Sequence, residues 1–428
     1  MNKRVVFVIV ALLTVLSLLA AQCPPPAEPT KAPEPTKAAE PTKAPEPTKP
    51  PVPTNTPEPK PLKVGLLRPI SAGLVIYGEM EERGFNLGLQ YATNGTGIVA
   101  GRKIEVIVKD TEGKPDVGVS RARELIEKEG CEILVGASSS AVTLGIIEVA
   151  KEYKTIIFVT PAAADQITGE NFNPYVFRTA SSAAQDALAG AKYAVRSLGK
   201  KFVGLAPDYS WGHDQIKVWK EIVEKEGGTF VAEVFAPADT TEFTPYFQKC
   251  LDSGAEVLFV AWAGAGGVQL FSQMQEQKIP EKLKLTTGIV DNKTFAALGT
   301  ALVGNKGMIK YHYTFPKNPV NDWLVKEHLA RYNEPPDLFT DTSFAAAQAL
   351  VLALQKTNGS TKAEDMIKVL EGMSWDAPKG KFTFRKEDHQ ALQPMYTAEV
   401  VLVDGKPTIK LVAELSPEDC APAITAKR

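Results

Sequence analysis

The sequence predicts an α/β fold made of two lobes, each a doubly wound parallel sheet. From Leu62 onward, β-rich apolar runs alternate with amphipathic segments, which is typical of a parallel sheet with helices on both faces. Residues 129–135 read EGCEILV and residues 253–259 read SGAEVLF, so the plan of the first half is repeated in the second. With 428 residues, of which 44% are hydrophobic, the chain can bury more than one core. We expect a ligand in the cleft between two similar lobes.

The first 23 residues predict an export signal. A Lys-Arg pair precedes an uncharged, mostly apolar run from Val5 to Ala21, and the chain then reaches Cys23. Leu-Ala-Ala-Gln-Cys resembles the lipobox of bacterial lipoproteins, in which the cysteine is lipidated, although Gln22 replaces the usual small residue. We expect lipidation of Cys23, with an uncleaved membrane anchor as the alternative. Either way the body lies outside the cytoplasmic membrane.

Residues 24–60 predict a disordered tether. A Glu-Pro-Thr-Lys unit recurs there, and Val52 is the only large apolar side chain. Proline at this density favours extended polyproline II, and such a segment cannot form a core.

The first lobe opens with alternating strands and helices. Apolar runs predict strands at Lys63–Leu67, Ile104–Lys109, Ile133–Gly136 and Ile156–Val159. Helical periodicity predicts helices at about Glu79–Tyr91, Val117–Lys128 and Leu144–Tyr153. The last two strands are followed by small or polar residues, at 138–140 and 161–164. Helix N-termini and free amides meet at that edge of a parallel sheet, so we expect a cradle for the polar head of a ligand.

The second lobe repeats this alternation. We predict strands at Phe202–Ala206, Thr229–Phe235 and Glu256–Trp262, and helices at about Ala183–Leu198, Gln215–Lys225, Phe243–Leu251 and Gly267–Gln275. The later chain predicts helices at about Trp323–Tyr332, Ser343–Gln355 and Ala363–Leu370, then strands at Lys381–Phe384 and Ala398–Val403. We assign residues 62–179 plus about 316–380 to lobe 1 and residues 180–313 plus about 382–415 to lobe 2, with crossovers near Thr179, Tyr313 and Phe382.

The sequence lacks the motifs that several classes of enzyme and cofactor-binding protein require. The four histidines share no metal-ligand spacing, and residues 136–140 lack the last glycine of a nucleophile elbow. The Gly-rich stretch at 261–267 is followed by no Gly-Lys-Ser/Thr, and the formal net charge of −2 is unlike that of a nucleic-acid binder. We therefore expect that the protein is not an enzyme and that it binds no cofactor, metal or nucleic acid. Spacing alone assigns no disulfide among Cys131, Cys250 and Cys420.

The order of elements and several local phrases resemble the type I periplasmic binding proteins, specifically the branched-chain amino acid binding family of ABC importers. The resemblance covers residues 62–415. The residues that carry it are Gly65-Leu66-Leu67 with Tyr77-Gly78, Gly136 followed by Ser140, Thr160-Pro161-Ala162-Ala163, Phe177-Arg178-Thr179, and Asp208-Tyr209-Ser210-Trp211-Gly212.

The resemblance implies a site built from both lobes. It implies that Ser140 and the backbone at Ala162 bind a ligand carboxylate, whereas Ala164 stands where the family often has threonine. We include Ser139 and Ala164 among the expected binding residues, and a helix N-cap is the alternative for the serines at 138–140. Tyr77 and Trp211 are expected to close over the ligand.

Other residues complete the expected site. Tyr209 and Trp262 are polar-tipped aromatics at predicted strand ends, for which ordinary packing is the alternative. In amino acid binding relatives an acidic residue pairs with the ammonium; the closest position here is Gly288 and the nearest acid is Asp291, which we expect in that role.

We therefore expect a membrane-tethered, extracytoplasmic solute-binding protein that works with an ABC permease. Its expected ligand is a branched-chain or other apolar amino acid, and an amide or aromatic carboxylate is the alternative. A ligand-sensing protein that works with a separate partner is an alternative of another class.

Overall fold

The computed structural model describes residues 59–71, 73–263, 266–288 and 290–427. The predicted signal, Cys23 and nearly all of the tether lie outside the described residues. The described chain forms two large sheets, each with helices packed against it, and one small antiparallel sheet. This confirms the predicted α/β class with mostly parallel sheets.

The first sheet contains the chain's first six strands. They are β1 (Leu62–Arg68), β2 (Ile98–Val99), β3 (Arg102–Asp110), β4 (Ile133–Gly136), β5 (Ile156–Val159) and β6 (Val176–Arg178). Their order is β2-β3-β1-β4-β5-β6, and all neighbours are parallel except β2 and β3. The connecting helices are α1 (Val75–Ala92), α2 (Pro115–Glu127) and α3 (Ser140–Tyr153). All residues of β4 and β5 are buried, as expected for strands covered on both faces.

The next part of the chain builds most of the second sheet. Its strands are β7 (Lys201–Pro207), β8 (Thr229–Ala236), β9 (Val257–Val260), β10 (Lys284–Thr287) and β11 (Lys306–Ile309). The accompanying helices are α4 (Ala183–Ser197), α5 (Ser210–Lys225), α6 (Thr244–Asp252), α7 (Gly267–Glu276), α8 (Ile279–Lys282) and α9 (Asn292–Leu298).

The remaining chain first contributes helices and the small sheet. These elements are α10 (Pro319–Tyr332), α11 (Thr340–Lys356), α12 (Ala363–Leu370), β12 (Ser374–Ala377), β13 (Gly380–Phe384) and β14 (Ala391–Leu392). The chain then returns to the second sheet as β15 (Met395–Val403) and β16 (Lys406–Leu415), which gives the order β16-β15-β11-β10-β9-β7-β8.

Helix α11 packs closely across α1 through two glycines of α1. A Cβ atom added at Gly84 would lie 2.3 Å from the carbonyl oxygen of Thr340, and one at Gly88 would lie 2.5 Å from that of Phe344. Ala346 and Leu350 of α11 are buried in the same core as the strands of the first sheet. The late helix α11 therefore completes the layer that covers the first sheet.

The lobe boundaries stay a prediction, and one of them we now propose to move. Phe384 of β13 packs against Phe177 of β6 with ring centroids 5.2 Å apart, and Phe382 lies in the same core. We therefore propose that the third crossover lies between β14 and β15, at residues 393–394, and not at Phe382. The apolar alternation of β13 predicted a strand without showing which sheet it would cover.

Two predicted element bounds were wrong beside the cleft. Helix α5 begins at Ser210, with Tyr209 at its N-cap, and not at Gln215. Strand β9 ends at Val260, where its pairing with β7 and β10 stops, so Trp262 lies on the following loop. Both differences place an aromatic side chain at a strand end or helix start, which is where a parallel sheet presents its ligand site.

The three described cysteines are free and buried. Burial raises the pKa of the Cys131 thiol to about 11 and those of the Cys250 and Cys420 thiols to about 12. None of the described helices combines the length and hydropathy needed to cross a bilayer. Within the described ranges, no three His, Cys, Asp or Glu side chains are grouped to hold a metal ion.

Candidate ligand-binding cleft

A cleft of about 750 Å³, open to solvent, lies between elements of the two sheets. The cleft is lined by residues of α1, the start of α5, the loops after β9 and β10, the end of β11 and the segment before α11. Seven aromatic side chains line it: Tyr77, Trp211, Trp219, Phe259, Trp262, Phe271 and Phe339. Among the described lining residues, the only charged side chains are Asp291 and Lys310. The cleft therefore suits a small ligand with an apolar body and few charges.

Four residues predicted from the sequence line this cleft. The Tyr77 ring meets the Phe339 ring edge-on with centroids 4.9 Å apart, and Trp211 stacks on Tyr209 at 6.0 Å. Trp262 also lines the cleft, and its buried indole N–H has no hydrogen-bond partner within the described part of the chain. A buried donor of this kind can hydrogen-bond a ligand or a water molecule. The fourth residue is Asp291.

The predicted carboxylate cradle lies apart from the cleft lining. Ser139, Ser140, Ala162 and Ala164 are all buried. Ser139 caps α3 by accepting a hydrogen bond from the Val142 amide, and the Ser140 hydroxyl accepts one from the Ala164 amide at 3.2 Å. Both hydroxyls are hydrogen-bonded within the protein, so their contact with a ligand stays a prediction.

Tyr209 is placed at the N-cap of α5 and does not line the cleft, although it supports Trp211 from behind.

Asp291 caps a helix at the cleft. Its two carboxylate oxygens accept hydrogen bonds from the amide and hydroxyl of Thr294, at 2.9 and 2.8 Å. The Asp291 side chain is nearly buried, and each oxygen keeps a further lone pair for a ligand cation. The residue can therefore cap α9 and face an ammonium group at the same time.

Contacts between elements of the two sheets close one side of the cleft. Met80 of α1 is buried in the core of the second sheet together with Leu285 and Leu298, although it does not line the cleft. The amide of Asn292 at the start of α9 donates to Asp337 Oδ2 at 2.9 Å, and Asp337 lies just before α11. Burial, with a smaller contribution from the nearby Asp291 charge, raises the pKa of Asp337 to about 7.

A network of charged side chains lies at the base of the cleft. Lys310 Nζ is 2.5 Å from Asp186 Oδ2, and Lys379 Nζ donates to the backbone oxygen of Lys310 at 2.9 Å. Burial lowers the pKa of Lys379 to about 8 and raises that of Asp341 to about 6. Asp186, Asp341 and Lys379 are each at most 2% exposed.

Sequence reasoning missed this network because its other members are 31 to 124 residues from Lys310 and form no local motif. The one available signal was a lysine directly after an apolar strand of the second lobe.

Comparisons with known proteins agree with this geometry. The sequence model of a family described as periplasmic binding protein matches residues 61–406. The chain belongs to the type I periplasmic binding proteins, in the branched-chain amino acid binding family. Members of this family are extracytoplasmic binding components of ABC transporters and work with permeases, so the expectation of a binding protein and not an enzyme is confirmed.

Individual relatives of this binding protein span most of its length. Leu/Ile/Val-binding protein homolog 6 of Brucella abortus (strain 2308) is 24% identical over 367 residues, which are 80% of this chain and 88% of that protein. The crystal structure of an ABC-type branched-chain amino acid transporter from Rhodopseudomonas palustris CGA009 is 40% identical, with a TM-score of 0.74 and coverage of 86% of this chain and 100% of that one.

Two further solved structures contain aromatic acids. A solute-binding protein of an ABC transporter from Rhodopseudomonas palustris BisB5, in complex with 3,4-dihydroxybenzoic acid, is 26% identical with a TM-score of 0.77 and covers 83% of this chain and 97% of that one. Another from R. palustris, in complex with benzoate, is also 26% identical with a TM-score of 0.76 and covers 86% and 100%. The family therefore includes members with ligands of more than one kind.

Proposed function

We propose that this binding protein delivers a small carboxylate with an apolar body to its ABC permease. The observation that carries the proposal is the cleft itself, in which seven aromatic rings surround one ammonium and one carboxylate side chain. Aromatic rings bury the apolar body of a ligand, and the two charged groups fix its polar end.

An apolar amino acid, such as leucine, isoleucine or valine, is the first candidate ligand. Asp291 supports it, because a carboxylate in the cleft offsets the cost of burying an ammonium group. The curated relatives named as Leu/Ile/Val-binding protein homologues agree with this choice.

An aromatic carboxylate is the second candidate. Both Asp291 oxygens already accept hydrogen bonds from Thr294, so Asp291 does not require a ligand cation. The aromatic lining offers edge-on and stacked positions for a ligand ring. Two solved relatives hold dihydroxybenzoate and benzoate.

Calorimetric titration of ligand-stripped protein separates the two candidates. L-leucine, L-isoleucine and L-valine form one set of titrants, and benzoate, 4-hydroxybenzoate and benzamide form the other. Binding confined to the first set supports an amino acid ligand, and binding of benzoate or 4-hydroxybenzoate without the amino acids supports an aromatic acid. Lack of binding by every carboxylate at millimolar concentration would refute the proposed class.

A tryptophan substitution tests the position of the site. Trp211→Ala is expected to weaken binding of whichever carboxylate binds by about 10- to 100-fold, since aromatic anchors dominate buried interfaces. Trp323→Ala is the matched control, because Trp323 packs on Tyr91 and Phe344, away from the cleft. Equal losses in both variants would place the ligand elsewhere.

We further propose that Cys23 is lipidated and that residues 24–60 tether the body to the outer face of the cell membrane. The lipobox-like sequence supports the first part and the proline-rich repeat supports the second. Mass spectrometry of the protein extracted from its native membrane, in comparison with a Cys23→Ser variant, tests both. Unmodified protein released into the soluble fraction would refute the anchor.

A further inference from the structure

We propose that Lys310 binds the ligand carboxylate and that Asp186 is the positioning residue that holds the lysine at the base of the cleft. The inference rests on the proposed function, since it assumes an anionic ligand. It assigns the ligand carboxylate to a residue outside the cradle at Ser140 and Ala162 that the family resemblance implies.

The position of Lys310 supports this role. The residue directly follows β11, and its side chain lines the cleft with 12% of its surface exposed. It is the only cation among the described lining residues. Its Nζ lies 5.9 Å from the ring centroid of Phe339, which is itself part of the cleft wall. A carboxylate bound among the aromatic rings therefore has one ammonium group within reach.

The hydrogen bonds of Lys310 leave one donor free. A lysine ammonium has three N–H groups. One donates to Asp186 Oδ2 at 2.5 Å and another to the Ser181 hydroxyl at 2.8 Å. No described residue accepts the third, so the third N–H is available to a ligand oxygen. A charge-assisted bond of this kind is stronger than a neutral one.

Asp186 is held independently of the lysine. Its Oδ1 accepts from the Ser181 hydroxyl at 2.7 Å, and its Oδ2 accepts from the Gln215 amide at 3.2 Å. The Asp186 side chain is fully buried. The carboxylate therefore stays in place while it orients Lys310, which is how a rigid second layer of residues fixes a binding group.

The four charged groups of the network balance one another. Lys310 and Lys379 balance Asp186 and Asp341, so the network carries no net charge when all four groups are ionised. Asp291 is a further carboxylate in the cleft lining, and its oxygens accept hydrogen bonds from Thr294. Lys379 also donates to the Lys310 backbone oxygen, which ties the binding group to the buried turn between β12 and β13.

The test compares acid and amide versions of the same probe. Benzoate with benzamide and L-leucine with L-leucinamide are titrated into wild type, Lys310→Met, Lys310→Arg and Asp186→Asn. Lys310→Met is expected to weaken binding of the carboxylate by about 10- to 100-fold and binding of its amide by less than about threefold, because only the carboxylate pairs with the lysine ammonium. Lys310→Arg is expected to restore part of the acid preference.

Asp186→Asn gives the discriminating result. Because Asp186 holds the lysine, Asp186→Asn is expected to weaken binding of the acid by about threefold or more and binding of its amide by less, in the same direction as Lys310→Met. If the pair were only structural, both substitutions would weaken acid and amide alike. The double variant Lys310→Met with Asp186→Asn removes both charges and so avoids an unpaired buried carboxylate that could prevent folding.

Lys306→Met is the control for loss of a lysine from the same strand, since Lys306 pairs with Glu399 and does not line the cleft. If wild type binds a carboxylate and Lys310→Met or the double variant binds it equally well, Lys310 is not the binding group and the proposed function stands. If wild type binds none of the carboxylate probes, the proposed ligand class and this inference both fail.

Discussion

Replacing Asp337 with asparagine is expected to remove part of the pH dependence of stability. Asp337 lies where the segment before α11 meets α9, and its two oxygens accept hydrogen bonds from the amides of Asn292 and Leu338, at 2.9 and 2.8 Å. Burial raises its pKa from an ordinary value of 3.8 to about 7. The folded protein therefore binds this proton more tightly than the unfolded chain does.

Proton linkage determines how the Asp337 carboxyl changes the free energy of unfolding with pH. A carboxyl whose pKa is raised on folding contributes stability that is present at low pH and is lost as pH rises through the folded value. Between pH 8 and pH 6 the unfolded carboxyl stays ionised while the folded one becomes protonated, which adds about 1.4 kcal/mol to the free energy of unfolding at pH 6. For a body of this size the gain corresponds to about 2 °C in Tm.

The assay is thermal unfolding of wild type and Asp337→Asn at pH 8 and pH 6. Burial lowers the pKa of His312 to about 4, so this histidine acts in the opposite direction, but it does so in both proteins and cancels in the comparison. Asp404→Asn, in the exposed turn between β15 and β16, is the control and is expected to behave as wild type. Identical pH dependence of wild type and Asp337→Asn would refute the reasoning.

Three further outcomes are expected. Gly88→Ala should lower the free energy of unfolding in urea by about 1–3 kcal/mol, because the added Cβ would contact α11. This loss is expected despite the better helix propensity of alanine. Gly73→Ala is the control, since its Cβ would meet nothing within 4 Å, and it should leave urea unfolding unchanged. Arg178→Met should lower the free energy of unfolding by about 3–5 kcal/mol, since it removes a buried guanidinium that donates hydrogen bonds to Gln390 and to the Ala164 carbonyl. In the same urea assay, Arg196→Met should lower it by less than about 0.5 kcal/mol, because Arg196 is exposed. The three described cysteines should resist a thiol reagent in native protein and react fully in denaturant; reaction without denaturant would contradict their burial.

The sequence was sufficient for parallel strands such as β4 and β5 because their apolar runs are local signals, whereas it predicted no bounds for the parallel-paired strands β6, β10 and β11. Strand β5 has the predicted bounds Ile156–Val159, and β4 has the predicted bounds Ile133–Gly136. Both strands are buried on both faces, so every residue in them is apolar or glycine. The repeat of the 129–135 pattern at residues 253–259 predicted the second lobe.

The short or polar elements could not be predicted in the same way. Strand β16 carries mostly exposed residues, and its place in the sheet depends on pairing with β15. Helix α9 has only 7 residues and is set by the Asp291 cap. Pairing and capping are contacts between separated residues, so a pass along the sequence does not reveal them.

The candidate site was predicted in part for the same reason. The family resemblance predicted Tyr77 and Trp211, and the position of Trp262 at a predicted strand end predicted that residue. Lys310 could not be predicted, since its role depends on Asp186 and Ser181, more than 120 residues earlier in the chain. Ser140 was predicted by resemblance, but its hydroxyl bonds the Ala164 amide, a partner that only the fold reveals.

Met80 joins α1 to the second sheet. It is buried in the core of that sheet and does not line the cleft. A smaller side chain there is expected to loosen this contact without changing any residue that faces the cleft. Where the change lowers the fraction of molecules competent to bind, the apparent dissociation constant rises by the same factor. Substitution at Met80 is therefore expected to alter affinity for a ligand without altering the choice among solutes.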